Sequence, residues 1–362
     1  MLFESFKLGP IALQNRVVMA PMTRSRAINN IPNDLMAEYY GQRSGAGLII
    51  TEGTAPSPNA LGYPRIPGAF SPEQTEGWKK ITSAAHDGGA KIFLQLMHTG
   101  RVGHPNNLPE GAEVVGTSTT AVEGEMYTDQ EGLQPYPSAR LMNESDIQEA
   151  IQSYVISAQN AIEAGFDGVE LHGANGYLIE QFLNPNVNKL DNSYNGSHEA
   201  RAKFALEVAQ AVGQAIGAER TSIRLSPYGV FNNTGPFEEV EEAYEYLARE
   251  LGKLHLAYIH IVDHSAMGAP EVSRSVKEKI RNAFGRTIII SGGYDKERAE
   301  QDLADGLGHL VAFGRPFIAN PDLVHRLQAG AEIQQPDFDT FYTPGEKGYT
   351  DYPTLEEAEA AE

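Results

Sequence analysis

The chain of 362 residues contains no cysteine and one tryptophan. Without cysteine it cannot form disulfides, hold a metal through thiolates or use a thiol as a nucleophile. This composition fits a reducing compartment, and the expected location is the cytoplasm. Basic residues are also scarce, since 28 lysines and arginines face 48 acidic residues and the net charge is −20. The negative charge argues against nucleic acid or an anionic membrane surface as a partner.

Long apolar runs are missing as well, and none approaches the length that spans a bilayer. The first six residues, Met1 to Phe6, also lack the basic stretch and the apolar stretch of a signal peptide. With 41% hydrophobic and 21% charged residues, the composition is that of a soluble globular protein. We expect a single domain over residues 1–362, present as a monomer or homodimer.

What the sequence does contain is an alternation of short β-rich runs with amphipathic helical runs. We predict strands, apolar along most of their length as in a buried parallel sheet, at 16–20, 47–51, 91–96, 167–171, 221–225, 256–262, 287–291 and 308–313. We predict the clearest helices at 72–88, 144–164, 198–216, 237–252, 271–284, 295–304 and 320–329. Ser71-Pro72 and Asn320-Pro321 supply start signals for two of them. Eight strands, each followed by a helix, predict a (β/α)8 TIM barrel.

Three segments fall outside this alternation. Residues 1–15 precede the first strand and are predicted to form a hairpin that caps the barrel floor. Residues 97–143 make a long connection after the third strand, and such a length is typical of a functional excursion or lid. Residues 355–362 form an acidic tail, which we expect to be mobile or a frayed helix.

The carboxyl ends of the barrel strands meet at one rim, where the active sites of such barrels lie. The residues at these strand ends are largely polar or glycine: Pro21, Met22, Thr23, Glu52, Gly53, Thr54, Gln95, His172, Asn175, Tyr177, Arg224, Asp263, His264, Gly292, Gly293, Gly314 and Arg315. One such residue is ordinary, but packing alone does not explain a ring of them.

Two turns that contain glycine follow the last two strands, Ser291-Gly292-Gly293 and Gly314-Arg315. Loops at these two positions are the usual phosphate site of the barrel, because glycine lets backbone N–H groups approach the phosphate. Arg315 could add a charge-assisted contact. The alternative is that the glycines serve tight turns only. Both pairs together favour a ligand that carries a phosphate.

Two polar residues lie inside apolar strands, Arg224 and Gln95. A buried arginine is costly unless it meets negative charge, so Arg224 either pairs with a carboxylate such as Glu170 or serves a ligand that develops negative charge. The Gln95 amide can donate and accept, which suits the edge of a heterocycle. A core amide bonded to the backbone explains Gln95 equally well.

His172, Asn175 and Tyr177 follow the fourth strand. Two neighbouring hydrogen-bond donors can polarise a carbonyl or nitro oxygen, and a tyrosine can deliver a proton. Helix capping by Asn175 and packing by Tyr177 are the alternative. His260 and His264 lie four residues apart across a strand end, so we do not expect them to bind a metal. His98 is interpreted as a buried histidine that anchors the long excursion.

Several ordered motifs span the chain from residue 3 to about 355. They are APMTR at 20–24, QLMHTGR at 95–101, AGFDGVELH at 164–172, GYLI at 176–179, QFL at 181–183, AFGR at 312–315, ANPDL at 319–323 and GYTDYP at 348–353. With these motifs the chain resembles the old yellow enzymes, which are FMN-dependent ene-reductases. The resemblance is greatest to the branch of N-ethylmaleimide reductase and pentaerythritol tetranitrate reductase.

The resemblance implies a role for each residue of the ring. It implies that the FMN site is formed by Pro21, Met22, Thr23, Gly53, Gln95, His172, Arg224, Gly292, Gly293, Gly314 and Arg315. It implies that the substrate pocket is formed by Tyr63, Met97, His172, Asn175, Tyr177, Phe231 and Tyr342. Within this set Thr23 would tune the flavin, His172 and Asn175 would bind the activating oxygen, and Tyr177 would donate the proton.

Two positions depart from the relatives that reduce nitrate esters. The oxygen-binding pair is His172 and Asn175 here, where those relatives carry two histidines. Met97 stands where they often have tryptophan, and a flexible side chain there would reshape one wall of the pocket. Both departures concern the range of substrates and leave the class of reaction unchanged.

The implied activity is the reduction of the C=C bond of α,β-unsaturated carbonyl, maleimide or nitro compounds. The resemblance also implies tightly bound, non-covalent FMN and ping-pong hydride transfer, with NADPH or NADH as the reductant. One alternative is a flavin-free, phosphate-binding barrel that acts as an isomerase or aldolase, which needs a lysine or carboxylate at the rim. Another is a flavin-binding protein without turnover.

Overall fold

The computed structural model of the protein describes residues 1–361. Its strands are β1 (Phe6–Leu8), β2 (Ile11–Leu13), β3 (Val17–Met19), β4 (Leu48–Ile50), β5 (Lys91–Leu96), β6 (Val115–Gly116), β7 (Glu125–Thr128), β8 (Gly132–Pro135), β9 (Arg140–Leu141), β10 (Gly168–Gly173), β11 (Thr221–Leu225), β12 (Tyr258–Val262), β13 (Thr287–Ser291) and β14 (Leu310–Phe313). Its helices are α1 (Asp34–Gln42), α2 (Pro72–Asp87), α3 (Glu144–Glu163), α4 (Leu178–Leu183), α5 (His198–Ile216), α6 (Val240–Lys253), α7 (Arg274–Phe284), α8 (Lys296–Ala304), α9 (Pro316–Ala319), α10 (Leu323–Ala329) and α11 (Leu355–Ala360).

Eight parallel strands form a closed barrel in the order β3-β4-β5-β10-β11-β12-β13-β14, and β14 pairs with β3 to close it. Each of these strands overlaps one of the predicted runs. They are rich in β-branched and other apolar residues and are buried on both faces, inside against the barrel core and outside against the helices. The predicted (β/α)8 barrel is therefore confirmed.

The start signal at Ser71-Pro72 is confirmed, whereas the one at Asn320-Pro321 is wrong. Ser71 caps α2 by accepting a hydrogen bond from the backbone N–H of Gln74 at 3.2 Å. Asn320 instead follows the last residue of α9, and its amide donates to the carbonyls of Pro316 and Gln334. Helix α10 begins three residues later because Asn320 is used to tie α9 to a distant segment.

The expected N-terminal hairpin is present as the antiparallel pair β1 and β2. Leu8 and Leu13 are buried, and they pack in one cluster with Phe93, Tyr258 and Ile289 from the barrel interior. The hairpin therefore closes the floor of the barrel, opposite the rim where the strands end.

The long connection after β5 contains the hairpin β7–β8 and the short parallel pair β6–β9. Val122 and Met126 from this excursion form a small apolar cluster against which Tyr63 and Tyr177 pack. The excursion therefore lies over the carboxyl rim of the barrel.

The acidic tail is helical over α11, which Thr354 caps by accepting a hydrogen bond from Glu357. The backbone N–H of Leu355 donates to the Asp322 carboxylate at 2.7 Å and joins the helix to the barrel. Among residues 1–361, no helix is both long and apolar enough to cross a membrane.

Candidate active site

A cavity of about 690 Å³ opens at the carboxyl ends of the barrel strands. Most of the residues expected there line it: Pro21, Met22, Thr23, Tyr63, Asn175, Tyr177, Arg224, Phe231, Gly292, Gly293, Gly314, Arg315 and Tyr342. The fold thus brings together residues from the first to the last strand of the barrel. Tyr342 is 60% exposed and lies at the mouth.

Four of the expected residues, Gly53, Gln95, Met97 and His172, are buried and do not line the cavity. A Cβ atom on Gly53 would lie 2.5 Å from the sulfur of Met97, so glycine is needed there for Met97 to fit. Met97 belongs to an apolar cluster against which Tyr63 and Tyr177 pack. In this structure Met97 shapes the pocket through these two tyrosines.

The two glycine turns form a cradle of unpaired backbone donors. No hydrogen bond to another backbone group within residues 1–361 uses the N–H of Gly292, Gly293, Gly314 or Arg315. Gly293 has a φ of +62°, and a Cβ on Gly292 would lie 2.4 Å from the carbonyl oxygen of Asp263. Free N–H groups with an arginine beside them are the donor set that a phosphate requires.

Arg224 provides a buried cation that forms no salt bridge within residues 1–361, and Glu170 acts on it only at longer range. Its side chain lines the cavity with 7% of its surface exposed, and no carboxylate of residues 1–361 lies within salt-bridge distance. Its Nε atom has no hydrogen-bond partner. Burial lowers the pKa of the guanidinium, which stays positive all the same. The alternative of an ion pair with Glu170 is therefore not seen, and the cation fits an electron-rich ligand.

Glu170 instead anchors a hydrogen-bond network inside the barrel. One oxygen accepts from the Gln95 amide at 2.9 Å, and the other accepts from the Tyr258 hydroxyl and lies 3.0 Å from Nδ1 of His260. The second ring nitrogen of His260 lies 3.1 Å from the Ser291 hydroxyl. The sequence predicts Glu170 only as a possible ion-pair partner of Arg224 and does not predict this network. Its signal was the spacing of Glu170 and His172, which puts both side chains on one face of β10.

The network also orients the Gln95 amide. Because its nitrogen donates to Glu170, its oxygen is left as the free acceptor. The Gln95 side-chain amide thus bonds the Glu170 side chain, and not a backbone group as in a simple core amide. An oriented acceptor beside the cavity suits the N–H edge of a heterocycle.

His172 is held as a neutral donor. Its Nδ1 accepts a hydrogen bond from the backbone N–H of Ala174 at 3.3 Å. Burial and the nearby charge of Arg224 hold its pKa well below the usual value. A neutral imidazole whose Nδ1 accepts must carry its proton on Nε2. His172 can therefore donate one hydrogen bond through Nε2.

Asn175 does not cap a helix, since the residue at the start of α4 is Tyr177. Its φ is +59°, and hydrogen bonds hold both its backbone N–H and its backbone carbonyl. Its N–H donates to the hydroxyl of Ser226 at 3.0 Å, and its carbonyl accepts from the amide of Asn232 at 2.8 Å. Ser226 in turn donates to Glu180. Asn175 lies in the cavity wall.

Tyr177 is a protonated phenol at neutral pH. Its hydroxyl lies 2.9 Å from that of Tyr63. Burial raises its pKa to about 12, although the hydrogen bond to Tyr63 lowers it in part. Its ring meets His172 edge to face at 4.9 Å between the ring centroids. Tyr177 therefore lines the cavity with Asn175, and His172 lies against its ring.

Three other histidines considered in the sequence, His98, His260 and His264, have separate hydrogen-bond partners. His98 is buried, its Nδ1 accepts from the N–H of Gly100, and its carbonyl accepts from Leu178, so it anchors the start of the excursion. Within residues 1–361 there is no group of three histidine, aspartate or glutamate side chains that could hold a metal. His260 bonds Glu170, and His264 bonds Asn175, so these two do not converge.

The chain is similar to known proteins along nearly its whole length. Residues 1–334 match the model of the NADH:flavin oxidoreductase / NADH oxidase family. A flavin oxidoreductase of Emericella nidulans is 41% identical, and the alignment covers 97% of each chain. 12-Oxophytodienoate reductase 1 of Oryza sativa is also 41% identical, over 98% of this chain and 93% of the relative.

Solved structures agree with this similarity. Morphinone reductase is 42% identical and superposes with a TM-score of 0.94, covering 99% of this chain and 97% of its own. The old yellow enzyme homologue of Zymomonas mobilis is 38% identical with a TM-score of 0.92, covering 98% and 99%. The free N–H cradle, the unpaired Arg224 and the oriented Gln95 amide fit FMN, the cofactor of this family. The chain belongs to the old yellow enzyme family of FMN-dependent flavin oxidoreductases, which use NADH or NADPH.

Proposed function

We propose that the protein reduces the C=C bond of electron-poor alkenes, namely α,β-unsaturated carbonyl, maleimide or nitro compounds, with NADPH or NADH as the reductant. The chemistry that FMN supplies when bound is hydride exchange, first from the nicotinamide and then to the alkene. The observation that supports the proposal is the protonated phenol of Tyr177, which lines the cavity together with Asn175 and packs against the neutral donor His172, beside the cradle that suits a phosphate.

We assign the FMN site as the sequence predicted it. The N–H groups of Gly292, Gly293, Gly314 and Arg315 would hold the phosphate, and Pro21, Met22 and Gly53 would lie along the ring system. The Thr23 side chain is half-buried in the cavity wall and would bond the ring edge to tune the cofactor. Gln95 would accept from the pyrimidine N–H, and Arg224 would balance negative charge on the ring.

In the proposed reaction, the residues of this chain activate and protonate the alkene. Nε2 of His172 and the amide of Asn175 donate to the carbonyl or nitro oxygen, on which negative charge grows toward the transition state. The hydroxyl of Tyr177 then gives its proton to the carbon next to the activating group. The substrate pocket would be lined by Tyr63, Phe231 and Tyr342. Met97 packs in the apolar cluster against which Tyr63 and Tyr177 lie.

A flavin-free isomerase or aldolase is less well supported by the cavity. No lysine lines it, and its one aspartate, Asp263, is paired with Lys277 at 2.9 Å. Lys91 begins β5, which places it at the opposite end of the barrel. We further propose that residues 1–362 act as one FMN-binding domain, in a monomer or homodimer in the cytoplasm.

The experiment that tests the proposal is a visible spectrum of the purified protein, taken under anaerobic conditions. We expect a yellow protein that bleaches when NADPH is added and regains its colour with 2-cyclohexenone. A colourless protein that does not take up added FMN would refute the flavin site. A yellow protein that oxidises neither NADPH nor NADH would indicate a flavin-binding protein without turnover.

A further inference from the structure

His264 follows strand β12 and lies in the cavity wall beside Asn175. Its Nε2 atom is 2.7 Å from Oδ1 of the Asn175 side chain. Its ring meets the ring of Phe231 edge to face, with 4.6 Å between the centroids. The imidazole is therefore confined between an aromatic ring and one end of the asparagine amide.

The contact matters because an asparagine amide has two chemically opposite ends. The nitrogen end only donates hydrogen bonds, and the oxygen end only accepts them. A carbonyl or nitro oxygen is itself an acceptor, so it binds Asn175 only if the nitrogen end faces it. The two ends have nearly the same shape, and hydrogen-bond partners outside the substrate must therefore decide which one faces the cavity.

The surroundings of His264 favour a neutral ring that donates through Nε2. Burial and the charge of Arg224 lower its pKa to about 4. The neighbouring Asp263 carboxylate is occupied by Lys277 and by the N–H of Ser265. A proton on Nε2 then has one acceptor, the amide oxygen of Asn175, and the amide nitrogen is turned to the other side.

We propose that His264 is a positioning residue, whose Nε2–H holds the amide oxygen of Asn175 so that the amide nitrogen donates to the substrate. This inference rests on the proposed function, in which Asn175 binds the activating oxygen. It assigns the site to ligands whose oxygen accepts two hydrogen bonds, one from His172 and one from Asn175. Ketones, imides and nitro compounds meet this requirement.

Two substitutions of similar shape and opposite hydrogen-bond polarity test the proposal. In His264→Gln the amide nitrogen can still donate to Asn175, whereas in His264→Glu the ionised carboxylate can only accept and would turn the Asn175 amide around. The measurement is the dissociation constant of cyclohexanone, followed by the change in flavin absorption, together with kcat/KM for 2-cyclohexenone. We expect the Glu variant to be weaker than the Gln variant by about 10²-fold in both. Lowering the pH to protonate the glutamate should bring the two variants together.

Equal dissociation constants for cyclohexanone in the Gln and Glu variants would overturn the role of His264, whether both variants bind cyclohexanone well or both bind it poorly. Asn175→Ala separates this result from a failure of the proposed function. If Asn175→Ala leaves cyclohexanone binding unchanged, the donor pair itself is wrong. If Asn175→Ala weakens binding while the Gln and Glu variants agree, only the inference about His264 fails.

A second measurement needs no substitution. The ¹⁵N chemical shifts of the His264 ring distinguish a proton on Nε2 from one on Nδ1 in the FMN-loaded protein, with the His264→Gln spectrum used for assignment. We expect the Nε2 proton at neutral pH. A proton on Nδ1 would make Nε2 an acceptor, reverse the Asn175 amide and overturn the proposal.

Discussion

The hydroxyl groups of Tyr63 and Tyr177 lie 2.9 Å apart, with their rings nearly perpendicular at 88°. Because each hydroxyl can donate to the other, Tyr63 could return a proton to Tyr177 in the proposed reaction. The two residues are 114 positions apart in the chain. Their contact joins the loop after β4 to the loop after β10.

The first prediction concerns the proton donor. We expect Tyr177→Phe to slow the reaction of the reduced enzyme with 2-cyclohexenone by about 10²-fold, since proton transfer by a positioned group contributes at least that much. Reduction of the flavin by NADPH should change little, because that step needs no proton from Tyr177. Stopped-flow absorbance measures the two steps separately.

Tyr63→Phe is the matched control. It removes the neighbouring hydroxyl but leaves the donor, so its effect on enone reduction should be smaller than that of Tyr177→Phe. If Tyr177→Phe reduces every alkene as fast as the unmodified enzyme, Tyr177 is not the proton donor.

The second prediction concerns pH. Because burial raises the pKa of Tyr177 to about 12, the phenol keeps its proton well above the usual tyrosine pKa of about 10. The rate of enone reduction should therefore show no loss from Tyr177 ionisation between about pH 7 and pH 10. An alkaline fall centred near pH 10 that disappears in Tyr177→Phe would contradict the buried, protonated phenol.

The third prediction concerns charge around the flavin. Arg224→Gln removes a buried cation that forms no salt bridge within residues 1–361, so the reduction potential of the bound FMN should fall. Glu170→Gln removes a buried anion of the network behind the cavity, so the potential should rise. We expect shifts on the order of tens of millivolts, since 30 mV corresponds to about 1.4 kcal/mol for two electrons.

Spectroelectrochemical titration measures both potentials, and Arg249→Gln serves as the control because Arg249 is on the exposed side of α6. Shifts of the same sign in Arg224→Gln and Glu170→Gln would show that charge is not the cause.

The fourth prediction separates the phosphate cradle from the fold. A Cβ on Gly314 would lie 3.8 Å from Met22 Sδ and 3.9 Å from Ala20 Cβ, so the protein has room for it. It would enter the cavity, and Gly314→Ala should weaken FMN binding while the Tm of the apoprotein stays the same. Gly292→Ala should lower the Tm itself, because its Cβ would lie 2.4 Å from the carbonyl of Asp263. Fluorescence titration measures the FMN affinity of the two variants, and thermal unfolding measures their Tm. Unchanged FMN affinity in Gly314→Ala would mean that the phosphate binds elsewhere.

The fifth prediction concerns stability. Burial raises the pKa of the Glu180 carboxyl to about 7, above the 4.5 expected in the unfolded chain. The folded state therefore holds an extra proton between these values, and the free energy of unfolding falls as the pH rises through them, by up to about 3 kcal/mol from this group. Urea unfolding at several pH values should show a flatter dependence in Glu180→Gln than in the exposed control Glu163→Gln. An identical slope in the two variants would show that Glu180 titrates as it does in the unfolded chain.

The barrel could be predicted from the sequence because its signals are local. Buried parallel strands appear as short apolar runs, and the runs at 91–96 and 287–291 match β5 and β13 at both ends. The rim residues follow, since every strand end of a closed barrel faces the same side. Asn320 shows the limit of a local signal. The sequence predicts a helix start there, but the side-chain amide of Asn320 donates a hydrogen bond to the carbonyl of Gln334, 14 positions away.

The sequence by itself determined the barrel, the glycine turns and which residues reach the rim, because hydrophobic periodicity and turn chemistry act between near neighbours. Only the tertiary structure decided which groups those residues meet. Within residues 1–361 it left Arg224 without a salt bridge, joined Glu170 to Gln95 and His260 by hydrogen bonds, and placed His264 against the amide of Asn175, 89 positions away. The charge and hydrogen-bond polarity of a buried group depend on partners that lie far along the chain, and these come together only when the barrel closes.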